Sequence, residues 1–266
     1  MKYLECQIIR NSQIAYQIYE LILDWAEEGD PLDWAGKFVS IYCGDPSKLL
    51  PRPISVCDYN GKHLRLVYRI AGGGTELISR LSAGSQVRVI GPLGNGFEDF
   101  ANAAFAEKGP NFAIVGGGIG SPPMLFSARL LTEKYGLKPA VFLGFRDKSQ
   151  VILEDDFSKY TNNLQIATDA GDYGEQGTIL DLLNAYKAPI DGIFACGPRG
   201  MLAELSKWCQ ARNIDCYVSM EERMACSVGA CLGCVLKIRS TSGVAGFEHK
   251  KVCDCGPVFD AKEVVW

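Results

Sequence analysis

Four cysteines near the end of the chain form the strongest chemical pattern in it. Cys226, Cys231 and Cys234 stand in the string Glu221-Glu222-Arg223-Met224-Ala225-Cys226-Ser227-Val228-Gly229-Ala230-Cys231-Leu232-Gly233-Cys234, and a further pair follows in Val252-Cys253-Asp254-Cys255-Gly256-Pro257. The spacing C-x4-C-x2-C with a distant fourth cysteine is the plant-type arrangement for a [2Fe–2S] cluster. Two irons need four thiolates. A loop folded over the bridging sulfides must keep bulky side chains away and leave backbone N–H groups free to point inward. Ser227, Gly229, Ala230 and Gly233 are small enough, and the glycines admit positive φ. A structural zinc site from Cys231, Cys234, Cys253 and Cys255 is the competing reading, since four thiolates suit a tetrahedral ion as well, but it leaves Cys226 idle. Disulfides belong to small secreted frameworks, which this chain is not. Either Cys253 or Cys255 supplies the fourth ligand.

Two stretches in the first hundred residues can hold a phosphate-bearing ring system. Arg52-Pro53-Ile54-Ser55 places a fixed cationic fork, a rigid φ and a hydroxyl at a strand start. Gly72-Gly73-Gly74-Thr75 opens a short helix, where backbone N–H groups can approach a phosphate. Tyr68-Arg69 lies between them, placed to cover a flavin and meet its pyrophosphate. Taken alone, each stretch also reads as an ordinary strand end or turn. Further on, Gly116-Gly117-Gly118-Ile119-Gly120 follows a buried strand and precedes Ser121-Pro122-Pro123, with both prolines in a first helical turn. This reads as a nucleotide-binding turn, though not the strict G-x-G-x-x-G fingerprint. Cys196-Gly197-Pro198 falls where a strand meets a helix, the usual place for cofactor contact in parallel sheets, and its plain alternative is a turn with a half-buried thiol.

The elements around these stretches imply three parts. Residues 1–105 are β-rich, with short apolar runs at 5–9, 16–23, 38–42, 64–70 and 86–90 and a hairpin signal at Asn60-Gly61; a small antiparallel barrel follows, with one helical piece at 76–81. Gly91-Pro92-Leu93-Gly94-Asn95-Gly96-Phe97 is a turn-rich exit and Glu107-Lys108-Gly109-Pro110 a hinge. Residues 106–214 alternate strands (112–115, 139–145, 164–167, 192–195) with helices (121–131, 179–185, 201–211), the pattern of a Rossmann-like parallel α/β sheet. Residues 215–266 hold six of the eleven cysteines, strands at 235–239 and 251–253, and a Gly/Ser-rich turn between them. That segment is too small for a sizeable core, so a metal centre would complete it. His249 could stand in for a thiolate only with a second histidine beside it, as in Rieske centres, and both His63 and His249 are expected at the surface.

Composition excludes several classes. With 266 residues, 47% hydrophobic and 22% charged, the chain is an ordinary globular protein. A net charge of -4 gives no footprint for nucleic acid. It has no apolar run long enough for a transmembrane helix, and Met1-Lys2-Tyr3-Leu4-Glu5-Cys6 lacks a signal-peptide core. Eleven cysteines without a signal point to a reducing cytoplasm, with Cys6, Cys43, Cys57 and Cys209 as buried small apolar residues.

Barrel, nucleotide sheet and terminal cluster, in that order, resemble the ferredoxin-reductase superfamily. Within it the chain is similar to the electron-transfer subunits of dihydroorotate dehydrogenase type B. The residues behind this are Arg52-Pro53-Ile54-Ser55, Gly74-Thr75, Val115-Gly116-Gly117-Gly118-Ile119-Gly120, Cys196-Gly197-Pro198 and the cysteine string. The resemblance spans essentially the whole chain. It implies FAD held by Arg52, Pro53, Ile54 and Ser55, by Val67, Tyr68 and Arg69, and by Gly74 and Thr75, with Cys226, Cys231, Cys234 and Cys253 on the cluster. The family's closing C-x-x-G-P-V-F fits Cys253 to Phe259 and favours Cys253 as the fourth ligand. Cys255 stands where the family usually has Asp, and Ser227 where it usually has Gly.

It also implies a catalytic partner subunit that carries FMN, oxidises dihydroorotate to orotate in pyrimidine biosynthesis and joins this chain in a two plus two heterotetramer, with NAD+ as final acceptor. This chain offers no Ser/His/Asp set or carboxylate pair for that oxidation. A cluster moves single electrons and nicotinamide takes a hydride, so FAD must stand between them. The expected order is partner FMN, cluster, FAD, NAD+. The rivals are a similar reductase subunit serving a sulfide, ferredoxin or hydrogenase partner, and a zinc-bearing or redox-sensing module. At Gly144-Phe145-Arg146-Asp147 the Arg and the Asp favour opposite answers on NAD against NADP.

Overall fold

Alternating apolar and polar residues along the first ninety positions close into a six-stranded antiparallel barrel. The computed structural model describes residues 1–26, 29–101, 109–240 and 246–266. The barrel strands are β1 (Lys2–Ala15), β2 (Ile18–Asp24), β3 (Phe38–Ile41), β4 (Arg52–Tyr59), β5 (His63–Arg69) and β6 (Gln86–Leu93), in the spatial order β1-β2-β5-β4-β3-β6. The Asn60-Gly61 hairpin forms as read: Asn60 Oδ1 accepts the N–H groups of Lys62 and His63, and Gly61 takes φ 87°. The run read as 16–23 is instead cut by a turn at Tyr16 and Gln17, and β1 extends back to Lys2 with bulged pairing against β2. Gln17 turns at φ 56°, with no Gly or Pro to advertise it. The helix α1 (Gly73–Ser79) begins within the triple glycine.

A seven-stranded sheet follows. Strands β7 (Phe112–Gly117), β8 (Ala140–Phe145), β9 (Leu164–Thr168), β10 (Glu175–Gln176), β11 (Gly192–Cys196) and β12 (Asp215–Ser219) run parallel in the order β10-β9-β8-β7-β11-β12. Helices α2 (Ser121–Glu133), α3 (Glu154–Phe157), α4 (Ile179–Ala185) and α5 (Arg199–Gln210) connect them. From β7 the chain moves out to β8 and β9, then returns to the other side of β7 for β11. The switch point therefore lies between β7 and β11, where such sheets bind ligands at the carboxyl ends of the strands.

The tail adds a two-stranded ribbon, β13 (Val235–Arg239) with β14 (Phe247–Lys251), then the turn α6 (Val252–Cys255) and β15 (Val258–Asp260). Cys253 was read into a strand and lies instead in the helical turn, because the chain bends at Lys251 to face the cysteine loop. β12, beyond the boundary expected at 214/215, belongs to the parallel sheet, and β15 closes that sheet's edge antiparallel to β12. The first expected boundary, at 105/106, falls outside the described residues, as do Glu107 and Lys108 of the hinge and most of the turn after β13. Partly buried ion pairs lock barrel to sheet: Arg129 on α2 reaches Asp58 at 2.7 Å and Tyr59 O at 3.0 Å, while Arg65 joins Glu20 at 2.7 Å to Asp156 at 2.8 Å.

Candidate functional site

The cysteine loop has almost no hydrophobic core and is held by strapping. Buried Leu236 and Ile238 on β13 anchor one end, and Val252 donates its N–H to Cys234 O at 2.8 Å. Lys251 Nζ donates to Gly229 O and pairs with Asp254, both at 2.8 Å. The turn-rich barrel exit completes the clamp: Asn95 donates its N–H to Gly256 O at 2.6 Å and its amide to the carbonyls of Asp254 and Cys255. Inside, backbone N–H groups point at sulfur. Cys231 donates to Cys226 Sγ at 3.3 Å, Gly229 to Cys253 Sγ at 3.2 Å and Cys253 to Cys234 Sγ at 3.5 Å.

The thiols act on one another: Cys231 on Cys226, and both Cys234 and Cys226 on Cys253, so the four belong to one group. Two irons at two thiolates each take a group of four. Burial alone would raise the Cys226 thiol, but N–H groups of Cys231, Val228 and Ala230 outweigh it and bring its pKa to about 7. Such donors favour an anionic sulfur, free or metal-bound. Cys253 is pushed up to about 12 by burial and then by its contact with Cys234. Cys255 is exposed, unlike buried Cys253. Ser227 turns at φ 62°, a conformation that costs any residue with a Cβ, and its buried hydroxyl has no partner. His249 is exposed and His63 half-buried.

Beside this loop lies a cleft of about 390 Å³. Pro53, Ile54 and Ser55 on β4 and Val67, Tyr68 and Arg69 on β5 line one wall, with Thr75 at its end. The other wall is Ile119, residues 219–222, Met224 and Pro257. Arg52 and Gly74 do not line the cleft. Arg52 donates to Leu50 O at 2.5 Å and packs against Gly74 so closely that a Cβ there would overlap the guanidinium. The Thr75 hydroxyl shapes the turn before α1, accepting from Ala71 N–H at 2.9 Å and Gly72 N–H at 3.3 Å. Tyr68 is fixed by donating to Asn11 Oδ1 at 3.1 Å and by stacking on Tyr19. In the sequence Ile119 stands in the glycine loop and Glu221, Glu222, Met224 and Pro257 flank the cysteines, but nothing in those strings points them at this cleft.

A second cleft, of about 500 Å³, opens at the switch point. Gly117, Gly118 and Pro198 line it, while Gly116, Gly120, Cys196 and Gly197 stand behind and let the loops meet. A Cβ on Gly120 would lie 2.5 Å from Cys196 O, and one on Gly117 2.5 Å from Met201 Sδ. Burial pushes the Cys196 thiol well above its ordinary value, so it stays protonated. Arg146 also lines the cleft, but the Asp147 carboxylate caps the next turn, accepting from Ser149 N–H at 2.9 Å. Asp169, at the end of β9, is the carboxylate in the lining. Tyr16 and Gln17 reach the cleft from the barrel, a contribution that no local motif signals.

Comparison with known proteins gives a consistent set of likenesses. A family profile described as the iron-sulfur cluster binding domain of dihydroorotate dehydrogenase B matches residues 221–265. A protein of Streptococcus mutans named dihydroorotate dehydrogenase B (NAD(+)), electron transfer subunit is 37% identical, over 97% of this chain and 96% of its own. A Geobacillus protein of the same name is 37% identical over 100% and 99% of the two chains. Among solved structures, an NADH-dependent reduced ferredoxin-NADP oxidoreductase chain has a TM-score of 0.80 at 24% identity, covering 98% of this chain and 90% of that one. Phthalate dioxygenase reductase, at 18% identity, covers 94% and 76% with a TM-score of 0.61.

Proposed function

This chain belongs to the dihydroorotate dehydrogenase B electron-transfer subunits, and on that premise we propose how its residues divide the work. The chain is the oxidoreductase subunit that carries electrons from the FMN of a catalytic partner to NAD+ by way of a [2Fe–2S] cluster and FAD, in pyrimidine biosynthesis. FAD, when bound, exchanges a hydride with nicotinamide and single electrons with the cluster, which neither of those can do with the other. Residues 1–105 hold FAD, 106–214 hold NAD+ and 215–266 hold the cluster, with β12 and β15 tying the last part to the sheet.

Pro53, Ile54, Ser55, Val67, Tyr68, Arg69 and Thr75 present the flavin-facing wall, and Arg52 and Gly74 support it from behind. Gly117, Gly118 and Pro198 receive NAD+, and Gly116, Gly120, Cys196 and Gly197 make the close approaches beneath it. Cys226, Cys231, Cys234 and Cys253 hold the irons, their sulfurs already facing N–H donors. The observation that carries this reading is a shared wall. Met224 lines the first cleft two residues before Cys226, and Pro257 lines it two residues after Cys255, so the cluster loop and the flavin cleft are one construction.

Val228, Leu232 and Val235 stand 41%, 76% and 36% exposed around the thiols, an apolar face suited to the catalytic partner. The assembly we propose is two plus two, in the cytoplasm. All eleven cysteines are free, which fits a reducing compartment, and no helix among the described residues is long and apolar enough to cross a membrane.

The test is Cys231→Ser in the co-purified complex. FAD content and NADH-to-dye hydride transfer are expected to survive, while dihydroorotate-linked reduction of NAD+ is abolished, because the cluster is the single-electron link between the partner's FMN and FAD. Retained dihydroorotate-linked activity in a cluster-free variant would overturn the assignment.

A further inference from the structure

Arg69 ends β5, and among the described residues it alone lines both clefts. Its Nη2 donates to Gln150 Oε1 at 3.0 Å, across the junction between barrel and sheet. Gln150 in turn donates its amide to Asp147 Oδ2 at 3.2 Å, and the other oxygen of Asp147 is held by Ser149 N–H at 2.9 Å. The guanidinium is thus aimed by a chain of bonds rooted at the end of β8. It lies over the loop between β7 and α2: Nη2 is 3.8 Å from where a Cβ on Gly118 would be. In a sheet of this kind, the diphosphate of a dinucleotide sits over that loop, against the helix N-terminus. A guanidinium has five N–H donors in a rigid fork, and Gln150 engages one of its nitrogens.

We propose that Arg69 contacts the NAD+ diphosphate from the barrel side, in addition to facing the flavin cleft, and that Gln150 is the positioning residue that aims it. This rests on reading the switch-point cleft as the NAD+ site. The sheet supplies the backbone half of an anion site and Arg146 at its rim, and the barrel adds the cation that lies over the loop between β7 and α2. Full NAD+ affinity therefore needs the two parts docked as they are here. Gln150 itself does not line the flavin cleft.

The experiment uses the FAD- and cluster-loaded complex and calorimetric titration with NAD+, ADP and adenosine. Gln150→Ala is expected to weaken NAD+ and ADP by about threefold to tenfold, the worth of one well-aimed hydrogen bond, and to leave adenosine unchanged. In an Arg69→Gln background, Gln150→Ala is expected to cost nothing more. An equal loss in both backgrounds, a loss that extends to adenosine, or no loss at all overturns the inference. If Arg69→Gln sheds FAD, the two-background comparison is made with Arg69→Lys instead, because Gln150 itself lines the nucleotide cleft and its single variant cannot separate aiming from direct contact. A wild-type complex that binds no NAD+ overturns the reading of the cleft, and the inference with it.

Discussion

Three of the four thiols proposed for the cluster lie within residues 226–234, whereas the walls of the second cleft come from residues 16–17, 69, 117–118, 144–146, 150, 169, 177–179, 198 and 201. The first site carries its geometry in one loop, strapped by Lys251 and Asn95. The second exists only because a barrel docks on a sheet and two glycine turns meet at the switch point. The two constructions differ in what damages them. Harm to the cysteine loop should stay with the loop and the first cleft that shares its wall, while the second cleft should fail through residues that never touch its ligand.

Gly120 puts that difference to its hardest test. It does not line the cleft, but a Cβ there would press on the backbone of Cys196 and Gly197, at 2.5 and 2.6 Å, and backbone cannot swing aside as a side-chain tip can. Overpacking of this kind costs about 1–3 kcal/mol. Gly120→Ala is therefore expected to weaken NAD+ binding by about tenfold to a hundredfold in calorimetry, with the visible absorbance of the cluster unchanged. Undiminished NAD+ affinity would show that the turn is roomier than its contacts imply; bleached cluster absorbance would show that the two sites are not separable.

The same contrast explains what the sequence disclosed. The cysteine string, the Val115-to-Gly120 loop and the Arg52-to-Ser55 strand start are contiguous chemistry, and the structure sets them in or beside one of the two clefts or the cysteine loop. Strand and helix periodicity exposed the order of barrel, parallel sheet and tail. Hidden from the sequence were features made by docking: Tyr16 and Gln17 overhanging the nucleotide cleft, Glu221 and Met224 walling the flavin cleft, and β15 adding to the sheet edge. Neither a motif nor a period marks such residues, because their position depends on partners far along the chain. Arg69 shows the limit well. Its place on the barrel wall was legible, but its reach to Gln150, 81 positions away, was not.

A local site should also tune its own acidity, and Cys226 and Cys253 bracket the range. In iron-stripped protein that keeps its flavin, backbone donors hold Cys226 at about 7, below the ordinary thiol value of 9.0. The folded-state value is depressed, so the stabilisation this thiolate lends is full above pH 9 and lost as the pH falls through 7. Alkylation by iodoacetamide, followed by mass spectrometry, should therefore rise about fivefold from pH 6 to 7 at Cys226, about double again by pH 8 and then level off. Cys253, held near 12 by burial, should stay unlabelled over the same range. A Cys226 profile that keeps climbing to pH 9 would mean that the N–H donors turn inward only once iron is bound.

The smallest effect is expected at Ser227, and it probes whether the cysteine loop is optimal even by its own local rules. Ser227 occupies φ 62°, where a Cβ costs roughly 1–2 kcal/mol, and its hydroxyl is buried without a partner. Glycine would remove both penalties and give back about 0.5–1 kcal/mol through its freer unfolded chain. Ser227→Gly should thus stabilise the loop by about 1 kcal/mol, read as a severalfold slower loss of visible absorbance under a chelator. A faster loss would mean that the hydroxyl has work to do once the irons are in place, donating to a sulfur as the backbone N–H groups of Gly229 and Cys231 are already aimed to do. The loop would then owe part of its hold on the irons to a side chain, not to backbone alone.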